Sequence, residues 1–534
     1  MQAELREQIL EFDRVRASRT EEVDAVVIGS GCGGAVVAKE LAAAGWSVLI
    51  LERGGLYLAE RGDFDQREDD MLAKLTAGRG LDTTVDGGTA VLAGSNVGGA
   101  SVHYWADSHR MPRDRCELFA RDHGVQHRSF DELTPWFERI ERDLNVHPAP
   151  DELRNRNNWL FLQGAAAIGL EVERVPQARK NCVRSGYCMQ GCAYDAKQSQ
   201  LVTYVPEALQ RGARLYADCE VEHITVEGGR ATGVEARFLD RRTNAPSGHT
   251  LTVKARRCVV AAAGGFFTAP LLMKSRIPDP SGQLGQNLQM NPGMRSLGLF
   301  EEDVVMWRSI PAAVGCMQHR LARYDEQRRY QDGGFLLYPD QLQPSALAAC
   351  MPGFGAGHRE LMAMAPRIGA VTSWIDERHA GSVTLGDDGQ PLWDFPIVGE
   401  DAEKFRRSFK LQARILLAAG AREVVIPDKT LRQVEGRWVA GARIREERDI
   451  DEVVAAVDLS PGSIFYAAPH PAGAARMGRS PETSVVNSDG EVWSTPGLYV
   501  ADPSAFPTVV SVDPSESIMA WSYVTAQRIL AKRA

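Results

Sequence analysis

Residue types able to do chemistry stand at opposite ends of this chain. Gly29-Ser30-Gly31-Cys32-Gly33-Gly34 has the form G-x-G-x-x-G, with Gly29, Gly31 and Gly34 in the defining places. Glycines there permit a tight turn, let a pyrophosphate approach the backbone, and let the next helix pack closely on its strand. Far downstream, Pro469-His470-Pro471-Ala472-Gly473 presents a lone histidine. An imidazole with an ordinary pKa of about 6.5 takes up a proton at neutral pH, and the two prolines stiffen the loop that offers it. A dinucleotide site and a proton acceptor together suit the oxidation of an alcohol. A third feature is the spacing C-x5-C-x3-C formed by Cys182, Cys188 and Cys192. Three thiolates in one short loop can ligate a three-iron cluster; such a loop can also be structural, or join two of its thiols in a disulfide.

The elements that must position these residues follow from the apolar runs. Residues 23–28 form a short apolar strand, the glycine turn follows, residues 35–44 read as a helix, and residues 46–51 as a second strand. Strand, turn, helix and strand make the first half of a doubly wound unit. Glu52 closes the second strand 18 residues beyond Gly34, where a carboxylate can accept hydrogen bonds from ribose hydroxyls. Residues 1–20 read as a charged amphipathic helix outside the main fold, and residues 111–179 as a charged helical excursion or lid. Residues 213–238 read as a meander, residues 257–263 as a buried strand, residues 498–500 as a strand, and a closing helix starts near Pro514. Asp513 ahead of Pro514 is a favoured helix cap.

The bulk properties limit the function classes. The chain has 534 residues, of which 44% are hydrophobic and 25% charged, enough for a large core and more than one domain. A net charge of −9 disfavours nucleic acid or an anionic membrane as the main partner. The first residues show no apolar leader, and no apolar run reaches the roughly 18 residues of a spanning helix, so a cytoplasmic protein is expected. Nine cysteines over this length do not make a disulfide scaffold. Cys32, Cys116, Cys219, Cys258, Cys316 and Cys350 are scattered and read as buried thiols.

Gly94-Ser95-Asn96-Val97-Gly98-Gly99-Ala100-Ser101-Val102-His103 resembles the first signature of the glucose–methanol–choline (GMC) oxidoreductases, which carry FAD. A loop lying against a flavin needs residues without bulk. Residues 264–277 resemble the second signature, with Thr268, Leu271, Leu272 and Ser275 in place and Ala269 where proline is usual. Residues 470–478 and 498–502, with Phe506-Pro507-Thr508, resemble the family's closing segment.

The resemblance implies an α/β fold: a Rossmann-like, doubly wound FAD-binding domain of discontinuous chain (21–110, 180–295 and 460–534) plus a smaller mixed-sheet substrate domain (296–459). It implies FAD contacts at Gly29, Gly31, Gly34, Glu52, Gly98, Gly99, Ser101, His103, Val221, Asp502 and Pro514. In some relatives a histidine at the place of His103 bonds covalently to the flavin, and in others it only packs there. The resemblance also makes His470 the catalytic base. Asp513 stands where the family has asparagine or histidine. A carboxylate there raises the pKa of His470 and changes which group takes the proton; it can accept from the substrate, pair with a substrate cation, or orient His470. The dipole of the helix opening at Pro514 is worth about 0.3–2 kcal/mol to a reduced flavin's negative charge, and an ionised Asp513 opposes it.

The cysteine loop is similar to that of bacterial FAD-dependent sugar dehydrogenases, with Ser185 replacing one cysteine of their longer run. That likeness and Asp513 together favour a sugar, amino sugar or other polyol. Sterol, long-chain and aromatic alcohols are the alternatives, as are a non-redox lyase and a flavoprotein that only relays electrons. Oxygen or an electron carrier is the expected oxidant.

Overall fold

The apolar run that ends in Val26, Val27 and Ile28 forms the tail of strand Arg19–Ile28, and it pairs in parallel with Val48–Leu51. Helix Cys32–Ala43 connects the two, the right-handed crossover expected of such a unit. This protein is described by a computed structural model over residues 3–434 and 436–532. The glycines of the turn are required by close approach. A Cβ on Gly34 would lie 2.0 Å from the Gly29 carbonyl oxygen, and one on Gly33 would lie 1.7 Å from that of Ala501.

Strand Arg19–Ile28 lies inside an eight-stranded sheet ordered Ile9–Leu10, Arg214–Tyr216, Val48–Leu51, Arg19–Ile28, Ala245–Ala261, Arg230–Asp240, Cys219–Glu227, with Leu498–Val500 also paired to Ala245–Ala261. The last three strands of that order form antiparallel hairpins, whereas Ala245–Ala261 runs parallel to both Arg19–Ile28 and Leu498–Val500. Ile28 and Val500 both stand opposite Ala261, so the closing segment leaves the sheet at the same end of the strands as the glycine turn. The fold is α/β, with a Rossmann-like FAD domain and a substrate domain.

The substrate domain is built on a second, mixed sheet. Phe335–Pro339, Ile368–Ile375, Gly293–Leu299, Glu423–Val434 and Arg437–Ile444 are antiparallel, and Tyr466–Ala468 and Thr89–Val91 add a parallel pair. Every residue of Ile368–Ile375 is buried, because helix Gly399–Ala418 packs across this sheet and bars the strand from water.

The N-terminus differs from the helix expected over residues 1–20. Among the described residues of this segment, Ala3–Arg6 is α-helical and Phe12–Arg14 a single 3-10 turn, while Ile9–Leu10 adds to the sheet edge in parallel with Arg214–Tyr216. Leu5, Ile9 and Leu10 are buried in the main core; an open edge of unpaired backbone groups offers these residues a better site than a free-standing helix. Met1 and Gln2 lie outside the described residues. The charged excursion also divides. Phe130–Asp143, opened by a capping box between Ser129 and Glu132, packs on the closing helix Ser515–Ala531, with Trp136 stacked on Tyr523 at 4.8 Å. Arg156–Ala167 instead packs on Gly399–Ala418, so closely that a Cβ on Gly164 would meet the Ile415 carbonyl oxygen at 2.0 Å. Its apolar face, Leu160, Phe161 and Ala165, belongs to the second core. No helix among the described residues is long and apolar enough to cross a membrane.

Candidate active site

The N-termini of helices Cys32–Ala43 and Ser515–Ala531 open on one cleft, which holds about 1440 Å³ of empty space including its mouth. Gly29, Gly31, Glu52, Gly99, Val221, Asp502, Pro514 and His470 all stand on its wall. Two helix N-termini aim unpaired N–H groups and positive dipole ends at the same space, which suits an anionic dinucleotide. Gly99, at φ +58°, approaches so near that its Cβ would lie 2.8 Å from the Gly31 Cα. These glycines form a cradle that side chains would fill, and the residues present fit FAD.

The supporting contacts are specific. Glu52 Oε2 accepts from the Ser30 amide at 3.0 Å and hydroxyl at 2.7 Å, and Oε1 accepts from the Gly54 amide at 2.9 Å. Burial pushes its pKa up, and those donors hold it down in part. Asp502 accepts from the Gly264 amide at 3.0 Å, from the Ser504 amide at 2.9 Å and from the Thr268 hydroxyl, so it ties residues 264–277 to the closing segment. Gly34, Gly98, Ser101 and His103 stand behind the wall rather than on it. The Ser101 hydroxyl donates to the Gly98 carbonyl at 2.6 Å and accepts from the Gln200 amide at 2.9 Å, which fixes the loop. His103 is buried with Nε2 unpartnered in the structure. Burial, then the neighbouring Lys197, brings its pKa down to about 4.

Cys182, Cys188 and Cys192 do not fit an iron–sulfur cluster. Among the described residues, no three His, Cys, Asp or Glu side chains are placed to hold a metal ion, and these three thiols are free of disulfides. The Cys188 Sγ accepts from Arg179 Nη1 at 3.3 Å, while Cys182 packs toward Ala149, Ile310 and Ala313. Left-handed backbone at Asn181, Arg184, Gly186 and Gly191 bends the loop repeatedly between them.

The His470 ring is oriented by a contact from the second sheet. Asn291 Nδ2 donates to the Ile375 carbonyl at 2.6 Å, which turns Oδ1 toward His470 Nδ1 at 2.7 Å. An acceptor there fixes the hydrogen on Nδ1 and leaves Nε2 bare. Nε2 lies 3.5 Å from Asp513 Oδ1. Burial holds the His470 pKa below its ordinary value, with Asp513 offsetting part of the shift. The other Asp513 oxygen accepts from the Tyr338 hydroxyl at 3.0 Å and lies 3.7 Å from His109 Nε2. Asp107 is buried close by, accepts from Gln177 at 2.7 Å, and is held well above the carboxylate range by burial and then by Asp513. Trp374 packs on the His470 ring at 5.4 Å and meets Trp105 edge-on at 6.3 Å.

Asp513 is therefore no helix cap. Pro514 holds the N-cap place of Ser515–Ala531, and no side chain caps that helix. Sequence reasoning finds His470 and Asp513 but misses Asn291, Tyr338, His109, Asp107 and Trp374. Asp107 and His109 follow the Gly98 loop closely, and the others carry no motif.

A GMC oxidoreductase family profile matches residues 72–293, and a second, also GMC oxidoreductase, matches residues 377–522. An uncharacterized GMC-type oxidoreductase of Mycobacterium tuberculosis is 30% identical over 512 residues, covering 95% of this chain and 76% of that protein. A long-chain-alcohol oxidase of Arabidopsis thaliana is 26% identical over 532 residues, 97% of this chain and 69% of that one. Pyridoxine 4-oxidase from Mesorbium loti has the same fold, with a TM-score of 0.68 at 16% identity over 96% of this chain and 100% of that chain.

Proposed function

This chain belongs to the GMC oxidoreductases, an FAD-binding family, and on that premise we propose that it oxidises an alcohol to a carbonyl compound with His470 as base. The reading rests above all on one contact: the Asn291 oxygen on His470 Nδ1, which leaves Nε2 bare within the site. FAD held by the Gly29–Gly34 turn, the Gly99 loop and Asp502 would supply the acceptor for the hydride that leaves the carbinol carbon. His470 Nε2 takes the hydroxyl proton. Asn291 keeps the ring in the tautomer and orientation that this step needs. Asp513, with Oδ1 3.5 Å from Nε2, stands where a carboxylate stabilises the imidazolium that forms. Trp374 packs on the His470 ring and helps to hold it in place.

The substrate is an alcohol with an apolar body. Trp374 against the His470 ring, with Trp105 packed behind it, favours it, and among the relatives are long-chain-alcohol oxidases. The leaning toward a sugar rested on the cysteine loop and on Asp513, and of these only Asp513 still supports it, because the loop does not gather its thiols. The test is anaerobic mixing of the flavin-loaded protein with long-chain, aromatic, diol and sugar alcohols. Bleaching of the oxidised flavin by apolar alcohols is expected. No bleaching by any alcohol refutes the reading, as would occur with a lyase, and preferential bleaching by sugars refutes the substrate class. Readmitting oxygen or an artificial carrier then identifies the oxidant by the rate at which colour returns.

A further inference from the structure

The His470 side chain is 16% exposed and opens on the cleft, where a bound alcohol would cover it, yet each oxidation leaves one proton there. Trp374 covers the ring, Asn291 occupies Nδ1, and Asp513 faces Nε2. Past Asp513 the polar contacts continue. Tyr338 spans the gap between the carboxylate and His109: its hydroxyl is 3.0 Å from Asp513 Oδ2 and 3.2 Å from His109 Nε2. The His109 side chain is 14% exposed. Tyr338 is itself fully buried, where a phenol is retained when its hydroxyl has partners.

Resting on the reading of His470 as base, we propose that Asp513, Tyr338 and His109 form a relay that carries the substrate's proton out to solvent. The Nε2–H bond of His470 breaks and an O–H bond forms on Asp513 Oδ1. Rotation of the carboxyl brings that proton to the Tyr338 side. Tyr338 then accepts it while giving its own proton to His109 Nε2, and His109 releases its Nδ1 proton to water. Every bond broken is matched by one formed, only protons move, and the three side chains return to their starting charges. His109 regains a bare Nε2 by proton exchange with solvent before the next turnover.

The surroundings suit the task. Burial holds His109 below its ordinary pKa, with Asp513 and then Glu173 raising it in part, so it meets the incoming proton as a neutral ring. Burial and the nearby acids hold the Tyr338 pKa well up, so the phenol exchanges protons without ionising. Asp107 also faces this group, and burial and then the charge of Asp513 hold its pKa well above the carboxylate range, which favours the protonated acid there. His109 and Tyr338 are positioning and transfer groups; neither touches the reacting carbon.

The test follows flavin bleaching and proton release together, in weakly buffered anaerobic solution with a pH-indicator dye. In the wild type the two traces should coincide. In Tyr338→Phe and in His109→Ala, proton release should lag bleaching by about tenfold or more, the scale of one lost proton-transfer partner. Added imidazole should restore the coincidence in His109→Ala and not in Tyr338→Phe. Coincident traces in both variants would overturn the relay, because a purely structural role slows both signals equally. Nitrogen-15 NMR of the histidine rings supplies a readout independent of turnover. Asp513→Asn should shift the titrations of both His470 and His109, and Tyr338→Phe should change the His109 tautomer signal. Unaltered His109 signals would overturn the relay even if no alcohol bleached the flavin; that last result alone refutes the assignment of His470.

Discussion

Asn291 and His470 are joined by a 2.7 Å hydrogen bond across 179 residues of sequence, one from the edge of the second sheet and the other from the closing segment. The bond decides which imidazole nitrogen is basic, and several predictions depend on it.

His470→Ala should abolish flavin bleaching by alcohol, a loss of about 10²–10⁴-fold or more, the usual contribution of a general base. The variant should still bind FAD, because His470 is one of many residues on the cleft wall. The visible spectrum of the purified variant and stopped-flow bleaching check both halves.

Asn291→Leu removes the acceptor at Nδ1 and releases the ring to its other tautomer. A fall in kcat of about 10- to 100-fold with little change in KM is expected. Asn291→Asp keeps an acceptor but adds a charge, which raises the His470 pKa. Its acid limb in kcat/KM should move to higher pH.

The pH dependence carries a definite sign. A base works only when deprotonated, and burial holds His470 below its ordinary 6.5 while Asp513 lifts it in part. The wild type should therefore stay active somewhat below pH 6.5 before its acid limb falls. Asp513→Asn removes the lifting charge, so the acid limb should move lower still while maximal kcat drops. A limb that moves upward would contradict the placement of Asp513.

How much of this was legible in the sequence depends on the range of the forces involved. Gly29, Gly31 and Gly34 are dictated by backbone clashes within a few residues, so the turn reads directly. His470 and Asp513 were marked by position in a recognisable segment. Asn291, Tyr338 and Trp374 come from three strands of the second sheet or their ends, and only register brings them to one place: Leu336 opposite Trp374, Gly293 opposite Trp374, Gly293 opposite Ala467. No local pattern encodes that meeting. The N-terminal segment was misread for a related reason. Its apolar spacing suited a helix, but an unfilled sheet edge nearby competed for it.

Gly99→Ala should weaken FAD binding. Its backbone is left-handed at φ +58°, and a Cβ there would press to 2.8 Å from the Gly31 Cα. The cost is about 1–3 kcal/mol, by overpacking and backbone strain together. Loss of flavin on gel filtration is the expected sign; full retention with wild-type melting would argue that the two loops are looser than drawn.

Glu377 makes stability depend on pH. Its Oε1 accepts from the Met290 and Asn291 amides at 2.5 and 2.8 Å, and burial pushes its pKa from 4.5 to about 8. The folded state thus holds this proton more tightly than the unfolded chain, so its contribution is full below pH 4.5 and is lost as pH rises to about 8. Glu377→Gln, neutral throughout, should gain in Tm relative to wild type across that window and level off above it. Thermal melts at a series of pH values give the comparison.

The paired strands Thr89–Val91 and Tyr466–Ala468 run in parallel, with Val91 opposite Ala468. The chain leaves one strand for the Gly94–Gly99 loop and the other for Pro469 and His470. Cofactor loop and base loop are thus two prongs of a single fork, and a tilt of the fork moves both tips together. The fork is tied to the rest of the second sheet where Gly293 stands opposite Ala467, so a shift of that sheet reaches both loops at once.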